Sequence, residues 1–143
     1  MKNPTTIFLL SLALAFASRP LPAELRLPSI FGDGMVLQRD KPVSVWGWAT
    51  PGEEVKVTIS GQEAATMADA EGRWIIRLAA MKASSSGTSL DVASGDERRE
   101  VTDVLIGDVW ICGGQSNMEW SMRACRDADI EISSADYPSI RYA

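Results

Sequence analysis

The residues best suited to chemistry lie in a glycine-rich segment near the C-terminus, Gly113-Gly114-Gln115-Ser116-Asn117-Met118. The segment separates an apolar stretch typical of a buried strand from a stretch that can begin a helix. A serine placed there can act as a nucleophile, because the turn lifts its hydroxyl clear of the sheet. The unpaired N–H groups of a helix N-terminus would also stabilise a developing oxyanion. The two glycines permit backbone angles and a close substrate approach that side chains would prevent.

Two readings of this segment stay open on the residues alone. It is not the G-x-S-x-G elbow of α/β-hydrolases, because Met118 occupies the place of the final glycine. An ordinary strand-to-helix connection, with Ser116 or Asn117 as the helix N-cap, is the alternative to a nucleophile turn.

The composition limits the chemistry that these 143 residues can perform alone. They include no histidine, which excludes a Ser-His-Asp triad, a histidine zinc site and a histidine general base within the sequence. The net charge of −5, from 14 Lys and Arg against 19 Asp and Glu, leaves no basic surface for phosphates, so no nucleic-acid partner is expected. The two cysteines, Cys112 and Cys125, could form a disulfide or remain buried free thiols, and metal binding by them is not expected.

The elements that must position the serine begin with a β-rich region. Apolar residues alternate with polar or outward-facing ones in three stretches: Val55, Val57 and Ile59; Trp74, Ile76 and Leu78; Leu90 and Val92. Gly-containing turn signals lie before and between these stretches, at Asp33-Gly34, Pro51-Gly52, Ser60-Gly61, Glu71-Gly72, Ser86-Gly87 and Ser94-Gly95. Residues 82–87 are predicted to be a loop. The pattern predicts an antiparallel β-sandwich over residues 27–102, in which the strand at Val43–Trp48 has both faces covered.

The pattern changes at residue 103. The nearly continuous apolar run Val104–Cys112 predicts a strand covered on both faces, as in a parallel α/β sheet. A helix is expected from Met118 to the Asp136–Pro138 stretch, and a further strand from Ile140. Residues 103–143 therefore predict the first strand–helix unit of an α/β domain that needs several such units.

The N-terminus has the order of a secretory signal peptide. Lys2 precedes the apolar run Ile7–Ala17, which ends in the small residues Ala15-Phe16-Ala17. We expect residues 1–17 to be a signal peptide and residues 18–26 a linker, and the protein to be secreted or periplasmic. The run is too short to cross about 30 Å of hydrocarbon, so no membrane association is expected after cleavage.

Several motifs together resemble the sialate O-acetylesterase family of the SGNH hydrolase superfamily. The segment Gly107–Trp120 resembles the nucleophile block of that family. Phe31–Arg39 and Pro42–Glu53 resemble its N-terminal β-domain, and Tyr137–Arg141 resembles the segment that enters its second hydrolase strand.

The resemblance implies an N-terminal β-sandwich followed by a flavodoxin-like α/β/α hydrolase domain, of which this chain is an N-terminal fragment. It implies a secreted esterase that removes O-acetyl groups from sugars, of the sialic acid 9-O-acetyl type, without a metal or cofactor. Ser116 corresponds to the nucleophile and its backbone N–H to one oxyanion donor, while Gln115 and Asn117 correspond to substrate-binding positions. The catalytic histidine of the family belongs to a later block, so the chain alone is expected to be inactive.

A second function, that of a non-catalytic secreted carbohydrate-binding β-sandwich module, is left open by the five tryptophans, Trp46, Trp48, Trp74, Trp110 and Trp120. Aromatic rings stack on sugars, but they also fill a sandwich core or a contact between domains. We expect Trp74 and Trp110 to be core residues, given their apolar neighbours. The sequence does not decide between core packing and sugar binding for Trp46 and Trp48.

Overall fold

The computed structural model describes residues 24–142, with the backbone alone at Asn117. This part of the chain is mostly β-sheet with one short α-helix. The strands are β1 Val36–Gln38, β2 Val43–Trp48, β3 Glu54–Ile59, β4 Gln62–Met67, β5 Arg73–Leu78, β6 Ser84–Ser94 and β7 Glu97–Gly107. Two 3₁₀ turns follow at Ser116–Glu119 and Met122–Ala124, and α1 spans Ala128–Ser134.

The strands form a five-stranded sheet in the order β1-β7-β6-β3-β4 and a two-stranded sheet of β2 and β5. Within these sheets the neighbouring strands are antiparallel, except that β1 runs parallel to β7, from Val36 opposite Leu105 to Gln38 opposite Gly107. The prediction of a wholly antiparallel arrangement is therefore wrong at β1. Strands β1 and β7 are separated in sequence by most of the β-rich part of the chain. No local turn signal therefore sets their relative direction.

Residues from both sheets form one hydrophobic core, and the predicted alternation is confirmed. All of the apolar residues in the three alternating stretches are buried: Val55, Val57, Ile59, Trp74, Ile76, Leu78, Leu90 and Val92. In β2, Val43 and Val45 point into this core, while Trp46 on the opposite face is 38% exposed. The expectation that β2 is covered on both faces is therefore wrong at Trp46, where the outer face stays partly exposed.

Glycines with positive φ confirm five of the predicted turns: Gly34, Gly52, Gly61, Gly72 and Gly95. The loop predicted over residues 82–87 is only partly formed, because β6 already begins at Ser84. Ser84 pairs with Ile106 and Thr88 with Val104, with register shifts in between. Backbone pairing with the long strand β7 extends β6 where the side chains show no apolar alternation.

The β-rich part begins earlier and ends later than the sequence predicts. Leu25, in the expected linker, is 1% exposed and lies in the core. Arg26 and Trp48 exchange two backbone hydrogen bonds of 2.9 Å. At the other end, β7 passes through the expected boundary between residues 102 and 103 and continues to Gly107. The predicted signal peptide, residues 1–17, and the expected linker up to residue 23 lie outside the described residues.

The strand predicted over Val104–Cys112 stops at Gly107. Val104 is fully buried, but Val109, Trp110 and Ile111 are 48%, 83% and 98% exposed. The reason is the lack of partners: the pairing of β1 with β7 ends at Gly107, and in β6 the pairing with β7 begins at Ser84, opposite Ile106. Hydrophobicity alone does not extend a strand beyond the backbone groups that can bond it. The core position expected for Trp110 is therefore wrong.

The continuous helix expected from Met118 is replaced by the two 3₁₀ turns and the seven-residue α1. Ile140–Tyr142 forms no strand. Short helices are marginal in water unless an apolar face packs on something, and Trp120, Ile130 and Ile132 are all exposed here. None of the helices between residues 24 and 142 has the length and hydrophobicity needed to cross a membrane.

Candidate active site

Ser116 begins a 3₁₀ turn at the end of an irregular link. After Gly107 the chain has no regular secondary structure until Ser116, and the turn Ser116–Glu119 then forms. The N–H of Met118 donates to the carbonyl of Gln115 at 2.9 Å, which closes the turn. The predicted order of strand, glycine-rich turn and helix is therefore present in a looser form, with an eight-residue link and a single helical turn.

The two glycines before Ser116 differ in the space available for a side chain. A Cβ at Gly114 would lie 2.8 Å from Cγ of Met118, so a side chain there would push Met118 away. A Cβ at Gly113 would meet nothing within 4 Å. Of the two glycines, only Gly114 has a neighbour that an added side chain would displace.

Ser116 is exposed, and so is Gln115. No residue between 24 and 142 forms a hydrogen bond or ion pair with the Ser116 hydroxyl, and its backbone N–H has no acceptor there. The free N–H is typical of the first residue of a helical turn and is available to a ligand. The three predicted site residues are brought together by their sequence adjacency, and no general base contacts them in this part of the chain.

Asp108, which follows β7 directly, belongs to a network of charges on the β-rich part. Its Oδ1 accepts from Nε of Arg39 at 3.0 Å, and Nη1 of Arg39 lies 3.0 Å from Oδ2 of Asp40. Nζ of Lys82 lies 2.8 Å from Oδ1 of Asp40. The hydrogen bond from Arg39 to Asp108 raises the pKa of the guanidinium, and the hydrogen bond from Lys82 lowers the pKa of Asp40. Asp108 is thus engaged by Arg39 and not by Ser116.

Gln38 makes a second contact with the same link. Its side-chain Oε1 accepts a 3.0 Å hydrogen bond from the N–H of Val109, and the N–H of Arg39 donates to the carbonyl of Gly107 at 2.9 Å. Sequence reasoning did not predict these contacts, which join positions about 70 residues apart. The only signal was that both partners lie in the motif segments Phe31–Arg39 and Gly107–Trp120.

The far end of the exposed segment is also attached to the β-rich part. Nη2 of Arg141 lies 2.8 Å from Oδ2 of Asp103 in β7. Asp103 has a positive φ of 53°, a conformation that Asp adopts more readily than most residues. The segment that contains Ser116 is therefore held at Asp108 and Val109 on one side and at Arg141 on the other.

The outer face of β2 presents two of the tryptophans. Phe31 packs edge-on against Trp46, with 4.8 Å between ring centroids and 78° between planes. The guanidinium of Arg26 lies 4.7 Å from the centroid of Trp48, in cation–π geometry. Opposite Trp46, Ile75 of β5 is 61% exposed. Trp74 is buried as expected, at 4% exposure.

The remaining reactive side chains form no further site among residues 24–142. Cys112 and Cys125 are free and exposed, so neither the disulfide nor the burial considered for them is present. Asp127, Asp129 and Glu131 lie on the exposed surface in and next to α1. No group of three or more acidic, cysteine or histidine residues in this range is arranged to hold a metal ion.

Comparison with known proteins gives relatives of one kind. No model of a protein family matches the chain. The chain is 33% identical to the sialate O-acetylesterase of Mus musculus over 156 residues, which covers 99% of this chain and 28% of the relative. It is 34% identical to the sialate O-acetylesterase of Homo sapiens over 142 residues, which covers 90% of this chain and 27% of the relative.

Among solved structures, the fold is similar to a carbohydrate acetylesterase from Xanthomonas citri. The TM-score is 0.74 at 40% sequence identity, over 80% of this chain and 26% of the other. The chain therefore spans about a quarter of the length of these relatives.

Proposed function

Since this chain belongs to the sialate O-acetylesterase family, we propose that it is the nucleophile-bearing part of a carbohydrate esterase that removes O-acetyl groups from sugars. The expected substrates are O-acetylated sialic acids, the class named by its relatives. The observation that supports this most strongly is the identity of 33% and 34% to two sialate O-acetylesterases, over at least 90% of this chain. The chain spans about a quarter of those relatives, so the activity of the whole protein is part of the proposal.

In the proposed reaction, the hydroxyl of Ser116 attacks the acetyl carbonyl. A bond forms between Oγ and the carbonyl carbon, and the hydroxyl proton passes to a general base. The oxyanion is stabilised by the free N–H of Ser116, while Gln115 and Asn117 contact the sugar. The intermediate collapses as the bond to the sugar oxygen breaks, that oxygen takes the proton, and water then hydrolyses the acetyl-serine. The exposed position of Ser116 at the start of a 3₁₀ turn supports this role.

The base has to come from outside these 143 residues. They contain no histidine, and Asp108, the acidic residue nearest in sequence before the turn, is paired with Arg39. We propose that a histidine in a further segment of the same protein takes the proton from Ser116, as the family resemblance implies.

We propose that the two sheets form the β-sandwich of the family and that the chain after Gly107 begins an SGNH hydrolase domain. Support comes from the large apolar side chains that this part of the chain leaves exposed: Val109, Trp110, Ile111, Met118, Trp120, Met122, Ile130, Ile132, Tyr137, Ile140 and Tyr142. Further segments of the hydrolase domain would bury them and would convert the 3₁₀ turn at Ser116 into part of a longer helix.

We further propose that the protein is exported, to the periplasm or the medium, after cleavage of residues 1–17. The support is the sequence pattern of a positive start, an apolar run and the small residues Ala15-Phe16-Ala17.

The test compares the 143-residue chain with the protein expressed from the complete reading frame that contains it, using nitrophenyl acetate as substrate. The 143-residue chain is expected to be inactive, while the longer protein hydrolyses the ester and its Ser116→Ala variant loses at least about a thousandfold in rate. Ser121→Ala, at an exposed serine five positions further on, is the matched control and should keep full activity. Full activity of Ser116→Ala would overturn the nucleophile assignment. Ser116-dependent turnover by the 143-residue chain would overturn the need for an outside base.

A second candidate function is sugar binding by the β-rich part, supported by the partly exposed ring of Trp46 beside Ile75. Sialic acid or xylo-oligosaccharides would then quench tryptophan fluorescence, and Trp46→Ala would abolish the quenching. Trp120→Ala, at a tryptophan that is also exposed, is the matched control. Quenching that Trp120→Ala removes and Trp46→Ala does not would contradict this function.

A further inference from the structure

We propose that Gln38 and Arg39 are positioning residues for Ser116, in that they fix the direction in which the chain leaves β7 toward the glycine-rich turn. We call the contacts of these two side chains with Asp108 and Val109 the exit bracket. The catalytic meaning of the bracket rests on the proposed function, because that function assigns the chemistry to Ser116.

Gln38 extends the β1–β7 pairing beyond its last residue. The backbone register of the two strands ends at Gln38 opposite Gly107. Two residues further along, the N–H of Val109 would point to solvent if it had no partner. The side-chain Oε1 of Gln38 accepts its hydrogen bond at 3.0 Å, and so takes the place of the next carbonyl of a neighbouring strand.

Arg39 holds Asp108, the residue between Gly107 and Val109. Its backbone N–H donates to the carbonyl of Gly107, and its Nε donates to Oδ1 of Asp108. The guanidinium is itself oriented, since Nη1 is paired with Asp40, and Asp40 is paired with Lys82. A planar guanidinium that bonds two carboxylates in fixed directions restrains Asp108 in a way that a lysine ammonium would not.

The exit bracket sets the direction in which residues 108–115 leave β7. In the described structure, residues 108–115 form no hydrogen bond or ion pair with the β-rich part other than those to Gln38 and Arg39. Ser116 follows this link directly, so a change of direction at Asp108 or Val109 moves the hydroxyl. A misplacement of about 1 Å at a reacting group can cost about a hundredfold in rate.

The first test uses the 143-residue chain and measures amide hydrogen exchange by NMR. Val109 is expected to exchange more slowly than Trp110 and Ile111, whose N–H groups lack such a partner. Gln38→Leu should remove this protection, and Gln38→Glu, which keeps a side-chain oxygen as acceptor, should restore it. The matched control is Gln62→Leu, because Oε1 of Gln62 accepts an equivalent 2.9 Å bond from Ala79 in another part of the fold. Gln62→Leu should leave Val109 unchanged.

The second test measures esterase kinetics in the protein from the complete reading frame. Gln38→Leu and Arg39→Gln should lower kcat by about tenfold or more with little change in KM, because the hydroxyl is misplaced while the sugar contacts remain. Gln38→Glu should recover most of kcat, and Gln62→Leu should keep it.

The outcomes separate this inference from the proposed function. Unprotected Val109 in the wild-type chain would overturn the exit bracket. A Gln38→Leu variant that loses the protection but keeps its full kcat would overturn the positioning role of the bracket for Ser116. If the longer protein shows no Ser116-dependent hydrolysis, the proposed function fails, and the exchange measurement then decides by itself whether the bracket exists.

Discussion

Gly47 of β2 lies directly opposite Trp74 of β5, and the missing side chain of Gly47 is what allows the indole to pack there. A Cβ at position 47 would lie 2.9 Å from Cζ2 of Trp74 and 2.2 Å from the carbonyl oxygen of Arg26. Both distances are shorter than the closest contacts normally found between non-bonded atoms. Arg26 is also bonded to Trp48 through two backbone hydrogen bonds, so this part of the backbone cannot move aside without losing them.

Gly47→Ala is therefore expected to destabilise the fold by about 2 kcal/mol or more, toward the upper end of the cost of overpacking. The midpoint of urea unfolding measures the loss. Gly113→Ala is the control, because a Cβ there meets nothing within 4 Å. A Gly47→Ala midpoint equal to that of Gly113→Ala would contradict the close packing.

Trp74 and Trp110 provide a matched pair of the same residue type in opposite environments, at 4% and 83% exposure. Trp74→Ala removes a buried ring and should cost about 3–5 kcal/mol in the free energy of unfolding. Trp110→Ala removes a ring that is mostly in water and should change it by less than about 0.5 kcal/mol. Urea unfolding followed by far-UV circular dichroism measures both, since the signal comes mainly from the backbone and, unlike intrinsic fluorescence, survives the loss of a tryptophan. Equal losses in the two variants would contradict the different placement of the two rings.

The sequence predicted the parts of the fold in which local pattern and burial agree. The alternation around Val57 and around Ile76 identifies strands with one face in the core, and the glycines with positive φ lie where turn residues were expected. Where pairing depends on distant strands, the pattern was insufficient. The apolar residues after Gly107 resemble a strand, but strand formation requires neighbouring backbone groups, and β1 and β6 provide none there.

The residues of the candidate site could be predicted from the sequence, but the contacts that hold the site could not. Ser116 and its glycines can be identified from the residue types and the family resemblance. The bonds from Gln38 to Val109 and from Arg39 to Asp108 connect positions 71 and 69 residues apart. The parallel pairing of β1 with β7 brings these positions together. A pairing between strands so far apart in sequence leaves no residue spacing from which it could be predicted.

The carboxyl group of Asp33 makes the stability of the fold depend on pH. The N–H of Thr102 donates to Oδ1 of Asp33 at 2.7 Å, which lowers the pKa of this carboxyl from its ordinary value of 3.8. A lowered pKa in the folded state means that the ionised carboxylate stabilises the fold above pH 3.8, and that this contribution is lost as the pH falls below it. Asp33→Asn should therefore lower the thermal midpoint at about pH 6, and the difference from wild type should shrink at about pH 2.5. A difference that stays constant between the two pH values would show that Asp33 does not provide this contribution.

Expression from Met1 in a bacterial host with a secretion pathway tests the proposed export. The mature protein is expected outside the cytoplasm with Ser18 as its first residue, because Ala15 and Ala17 provide the small side chains that signal peptidase accepts. Intact-mass measurement of the exported and the cell-associated protein shows the cleavage site. Ala17→Trp should block cleavage while Phe16→Trp should not. Uncleaved wild-type protein that remains in the cytoplasm would contradict the prediction.

The ion pair of Arg39 and Asp108 should contribute modestly to stability, because the two side chains are 43% and 51% exposed. Water and salt screen a pair of this kind, so a double-mutant cycle of Arg39→Gln and Asp108→Asn should give a small favourable coupling free energy. The coupling should decrease when the salt concentration is raised from about 0.1 M to about 1 M. The free energy of unfolding from urea titrations at both salt concentrations measures it. A coupling indistinguishable from zero at low salt would contradict this contribution to stability. A large coupling that does not depend on salt would show instead that the two residues interact through packing, since screening acts on charge and not on shape.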